Sequence, residues 1–145
     1  MYIKDKGKIV TNPIIQVKDI TGTVCAIIVK NEAKFENLQF LTDSSDEFQL
    51  GVMKRGPGSP VLKHRHNFVP RSINRTSEFL SIHAGSASII IWSQKNEYIN
   101  KYHLTEGDCI LLMDGYHEIE FISECEILEI KQGPYYAKLD KSYEA

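Results

Sequence analysis

Apolar residues in this chain come in short runs, either continuous or alternating with polar residues, that end on turn residues, and this pattern sets the fold class. A period of two sends alternate side chains to opposite faces of an extended strand, whereas an amphipathic helix needs a period near 3.6. Residues 24–30, 48–54, 78–83, 86–92, 98–104, 109–113, 118–121 and 125–131 read as strands, with a clear period of two at 118–121 and 125–131 and too short a run for a helix elsewhere. Between them stand Arg55-Gly56-Pro57-Gly58-Ser59-Pro60, Gly85, Ser93-Gln94-Lys95-Asn96, Glu106-Gly107-Asp108, Asp114-Gly115 and Ser123-Glu124, each a turn signal. Turns roughly every 8 to 12 residues predict an all-β chain, a closed or double-sheet antiparallel fold. Residues 1–22 are less patterned and read as an N-terminal arm or edge strand that can pair with another subunit, with the domain proper at 23–145.

At 145 residues the chain has the length of one domain. A domain of this size buries close to ~70% of its unfolded surface, so it folds without a disulfide or structural metal. The longest apolar runs, residues 24–29 and 109–113, are far shorter than the ~20 residues of a membrane-spanning helix. Residues 1–10 carry Lys4, Asp5, Lys6 and Lys8 and lack the apolar stretch of a signal peptide. Cys25, Cys109 and Cys125 are odd in number and sit in apolar runs, so free thiols and a cytoplasmic, reducing compartment are expected.

The net charge of −2 argues against general nucleic-acid binding but hides an asymmetry. Residues 48–77 hold no carboxylate and six cations, Lys54, Arg55, Lys63, Arg65, Arg71 and Arg75, whereas residues 97–129 set nine carboxylates against Lys101 alone. Neighbouring strands with solvated faces give such a pattern, and so does a site for an anionic ligand.

The basic stretch also contains His64-Arg65-His66. On a strand, residues i and i+2 share a face about 6.6–7 Å apart, which lets two imidazoles converge on one ion. Imidazole suits zinc, iron, nickel and copper alike. Gly58 precedes the pair as G-(x)5-H-x-H; Glu78 and Gly85 form E-(x)6-G; and Gly107 opens G-(x)5-M-D-G-Y-H, ending on His117. With these spacings the chain resembles the cupin superfamily, and the tail Glu129-Ile130-Lys131-Gln132-Gly133-Pro134-Tyr135 is similar to small cupins associated with surface-polysaccharide biosynthesis.

The resemblance implies an antiparallel jelly-roll β-barrel with a divalent metal (iron, manganese, zinc or nickel) on His64, His66, Glu78 and His117. This chain departs from the pattern in four places. Eleven residues, Asn67 to Ser77, separate H-x-H from Glu78; Met113 stands for the usual proline; only Tyr116 lies between Gly115 and His117; and Phe121 stands for the terminal asparagine. Three imidazoles and one carboxylate leave one or two positions open on the ion, as Lewis-acid or hydroxide chemistry requires. His83 and His103 read as core or rim histidines. Arg71 and Arg75, in the eleven-residue segment, are placed to hold a phosphate or carboxylate, and share a face if the segment forms a helical turn. Tyr98 or Tyr102, whichever faces inward, supplies a phenol beside a bound sugar.

These readings point to a metal-dependent isomerase or epimerase of a small anionic sugar-like metabolite. An Fe(II)-dependent dioxygenase and a non-catalytic small-molecule-binding cupin are the alternatives, and a homodimer without membrane or nucleic-acid partners is the expected assembly. The residues that perform a proton transfer are not assigned by the sequence.

Overall fold

The computed structural model describes the backbone of Ile3–Asp5 and Lys8–Val10 and, in full, residues 13–143. Of the expected arm at 1–22, residues 1, 2, 6, 7, 11 and 12 therefore lie outside the described residues. The described elements are all strands: β1 (Ile3–Asp5), β2 (Lys8–Val10), β3 (Ile14–Lys18), β4 (Val24–Val29), β5 (Gln39–Phe40), β6 (Gly51–Val52), β7 (Glu78–Ala84), β8 (Ser86–Trp92), β9 (Tyr98–Thr105), β10 (Cys109–Leu112), β11 (Tyr116–Phe121) and β12 (Glu126–Lys131). Each ladder is antiparallel. Among the described residues no helix is long and apolar enough to cross a membrane. The chain divides into two compact units, one running to Ala33 and resuming at Thr76, the other Lys34–Arg75.

The first unit holds a five-stranded sheet, order β12-β7-β10-β4-β3, and a three-stranded sheet, order β11-β8-β9. From β7 onward the chain changes sheet at every connection except the β8–β9 hairpin, a Greek-key style of crossing. Alternation explains the core. Leu80 and Ile82 of β7, Ile110 and Leu112 of β10, and Ala26 and Ile28 of β4 face the same cluster as Ala87, Ile89 and Ile91 of β8 and Leu104 of β9. Two sheets thus bury their inner faces against one another. Each fully buried Ile or Leu contributes roughly 1.5–3 kcal/mol of transfer free energy to that contact. Cys25 is buried, Cys109 and Cys125 are half-buried, and all three are free.

Turn chemistry sets the strand lengths. Gly85 has φ +78°, and a Cβ there would stand 2.0 Å from the Glu124 carbonyl oxygen, so β7 must turn at this residue and only glycine fits. The six residues between Glu78 and Gly85 are thus the rest of one strand, which leaves Glu78 at its opposite end. Below the β9–β10 turn, Asp108 is 1% exposed. Its carboxylate accepts from the Asn31 amide at 2.8 Å, the Thr105 amide at 2.8 Å and the Lys30 ammonium. Burial works to raise this carboxyl, but Lys30 and the two amides together hold it below the ordinary aspartate value.

In the second unit β5 pairs with β6 through Gln39↔Val52 and Phe40↔Gly51. Residues 53–76 carry no strand and are exposed throughout, Leu62 and Phe68 included. The strand expected at 48–54 is therefore only two residues long. The Gly-Pro-Gly-Ser-Pro run that follows supplies neither the extended φ nor the donors a ladder needs.

Candidate metal centre

Glu78 begins β7 and stands between two partners, Leu112 on β10 and Lys131 on β12. Directly opposed residues share a face, and Leu112 belongs to the core, so Glu78 lies on the inner face of the five-stranded sheet. His117 is the second residue of β11 and opposes Ile91, itself fully buried, so it lies on the inner face of the other sheet. The two meet at the rim of the core. His117 Nε2 is 3.2 Å from Glu78 Oε2, with side chains 34% and 16% exposed respectively. The His117 hydrogen bond holds the Glu78 carboxyl below the usual glutamate value, against the opposing effect of its partial burial; Glu129 and Lys131 act in the same direction as His117.

Sequence reasoning did not single out Glu129 and Lys131 as part of this neighbourhood. Lys131 Nζ lies 3.4 Å from Glu129 Oε1 and 4.9 Å from the centroid of the Tyr135 ring. The β12–β7 register sets Lys131 opposite Glu78 and Glu129 opposite Leu80. The signal that finds them is the alternation of 125–131, once its ladder partner is known.

The other two expected ligands belong to the second unit. The segment around His64-Arg65-His66 is not a strand, yet the rings remain neighbours, with centroids 5.4 Å apart and planes at 76°. His64 Nδ1 lies 2.8 Å from the Leu62 carbonyl oxygen. A histidine that donates one ring N–H to a backbone carbonyl presents its other nitrogen, here Nε2, as a free donor pair, the arrangement seen in metal-bound imidazoles. Within either unit, among the described residues, no three His, Cys, Asp or Glu side chains gather closely enough to hold an ion. The first unit thus brings one carboxylate and one imidazole together, Glu78 with His117, and the second unit two imidazoles, His64 with His66.

Arg71 donates from Nη1 to the Val69 carbonyl at 3.3 Å and is exposed. The Asn74 and Arg75 amides both donate to the Glu47 carboxylate, at 3.0 and 3.1 Å, which ties down the end of this segment without a helical turn. Of the two tyrosines, Tyr102 opposes Ile89 and packs against the core, so it faces inward. Tyr98 is 63% exposed and meets Trp92 edge-on, with centroids 6.5 Å apart. His83 and His103 are exposed on the faces turned away from the core. No family model, curated protein or solved structure matches the chain.

Proposed function

We propose that the chain is a metal-dependent isomerase or epimerase of a small anionic sugar-like metabolite, built on a jelly-roll barrel of the cupin kind. The observation that carries the reading is the contact between Glu78 and His117. The resemblance implied both as ligands, and they come from different sheets to meet at 3.2 Å. The repeated change of sheet between β7 and β12 supports the jelly roll, because that fold is two Greek keys wound from one chain.

His64, His66, Glu78 and His117 would hold the ion, which supplies Lewis-acid polarisation of a substrate oxygen when bound. Arg71 and Arg75 bind the substrate's anionic group. Their planar guanidinium forks match the geometry of a phosphate or carboxylate. Ile91 and Ile119, on the inner face next to His117, exclude water from beneath the substrate. The inward-facing phenol of Tyr102 donates a hydrogen bond to a substrate oxygen. Such a conversion needs no co-substrate, since a proton removed at one carbon is returned at the same carbon or its neighbour.

The test is solvent exchange. Chain loaded with each candidate metal is incubated in deuterated water with a panel of sugar phosphates and nucleotide sugars and followed by proton NMR. Deuterium should enter beside the carbonyl of one panel member, and Glu78→Gln should abolish that exchange. A metal-loaded chain that exchanges no panel member would overturn the isomerase reading, and oxygen uptake would replace it with the dioxygenase.

A further inference from the structure

β12 forms one edge of the five-stranded sheet. Among the described residues no strand and no backbone hydrogen bond reaches its outer side. Folded proteins usually cover or blunt such an edge, because its free N–H and C=O groups are a template for another strand. From β4 to β12 the outer face of this sheet is also apolar but for Ser81. One row runs Ile27, Leu111, Phe79, Ile130, and the next runs Val29, Cys109, Ser81, Leu128. Ile27 and Leu111, at the centre, are 1% and 0% exposed, whereas Leu128 and Ile130, at the edge, are 59% and 50% exposed. The apolar rows thus run on into β12, where solvent reaches them.

We propose that β12 pairs antiparallel with β12 of a second copy of the chain, about a two-fold axis at Ile130. Opposed residues in a sheet share a face, so the axis of a symmetric pair must pass through a residue of the strand. An axis at Leu128 sets Glu126 against Ile130 and Ile127 against Glu129, two charges against two apolar side chains. An axis at Glu129 brings two carboxylates together. At Ile130 the pattern becomes self-complementary: Ile130 meets its own copy, and Glu129 of each copy stands opposite Lys131 of the other. The run Glu129-Ile130-Lys131 is a charge sequence that matches its own reverse. That match identifies the partner as a second copy rather than an unrelated peptide. Glu129 and Lys131 also flank Glu78, so the pairing carries the surroundings of that residue into the interface. The proposal does not depend on a metal.

Sedimentation velocity of the full untagged chain over a wide concentration range tests it. The account predicts a reversible dimer of twice the 16.6 kDa chain. Glu129→Lys should raise its dissociation constant about tenfold, since each of two ion pairs becomes a like-charge contact. Adding Lys131→Glu to that variant should bring the constant back to within about threefold of the original, which loss of folding cannot imitate. Ile130→Cys should give a self-crosslinked dimer on mild oxidation beyond any seen in the unaltered chain, because facing Cα atoms in an antiparallel pair lie within disulfide reach. A monomer at all concentrations would overturn the proposal. So would a dimer indifferent to Glu129→Lys, or one in which Ile130→Cys fails to crosslink.

Discussion

Lys30→Met is expected to destabilise the chain by about 3 kcal/mol, because it leaves the buried Asp108 without its counter-charge. The size follows from the geometry. Asp108 is 1% exposed and accepts from Lys30, from two backbone amides at 2.8 Å and from the Thr105 hydroxyl at 3.4 Å. Breaking a buried ion pair by removing one partner costs about 3–5 kcal/mol. The two amides remain, and the Lys30 side chain is itself 23% exposed, so the lower end applies. Lys101→Met, at a pair 45% and 41% exposed, should cost no more than about 0.5 kcal/mol. The carboxyl of Asp108 lies below the ordinary aspartate value. Its stabilisation is therefore complete above the unfolded value and lost as pH falls through the lower folded one. Without Lys30 the folded value rises, and acid unfolding should begin at higher pH. Urea unfolding followed by the fluorescence of Trp92, the single tryptophan, measures both effects in a series from pH 7 to pH 3. A cost below about 1 kcal/mol, or an unchanged acid limb, would mean that water already compensates Asp108 and would refute the reasoning.

Gly85→Ala should cost at least about 2 kcal/mol in the same urea assay, since φ is +78° and the added Cβ would meet a carbonyl oxygen at 2.0 Å; an unchanged midpoint would contradict the strained turn. Replacing both Arg71 and Arg75 by alanine should weaken binding of inorganic phosphate about tenfold by calorimetry and leave metal content unchanged. Equal phosphate affinity would remove the arginines from the site. Burial pushes the Cys109 thiol up to about 11. Its alkylation by iodoacetamide, mapped by mass spectrometry, should be slow at pH 8 and accelerate above pH 10, and labelling at pH 8 as fast as that of a free thiol would contradict this.

The period-two pattern located the strands from β7 to β12 to within two residues, because each is bounded by a glycine, asparagine or serine turn that the chain cannot extend through. Pairing was less legible. Residues 48–54 alternate as well as any strand, yet only Gly51–Val52 finds a ladder, because alternation describes a face and not a neighbour. The same limit hid Lys131 and Glu129. Their closeness to Glu78 comes from a register between segments about 50 residues apart, and no local signal encodes register. Asp108 read as a turn residue, and it is one, but the turn folds back over the end of β4, where Lys30 and Asn31 await its carboxylate. Of the expected ligands, Glu78 stands one strand length from Gly85, whereas Gly107 and His117 are separated by β10 and the turn after it, so His117 was named by the motif resemblance and not by a strand length. His64 and His66 lie in a segment without a ladder, so a strand geometry for them did not follow from their spacing.

Metal content tests the central claim most directly. Untagged chain purified without chelator, or reconstituted in turn with iron, manganese, zinc and nickel, is measured by mass spectrometry against the His64→Ala/His66→Ala and His117→Ala variants. The account predicts one divalent ion per chain, lost from both variants while the β-sheet circular dichroism is retained, since the core does not draw on the ion for buried area. An unaltered chain that holds no ion after reconstitution, or variants that retain it in full, would contradict the assignment of the site.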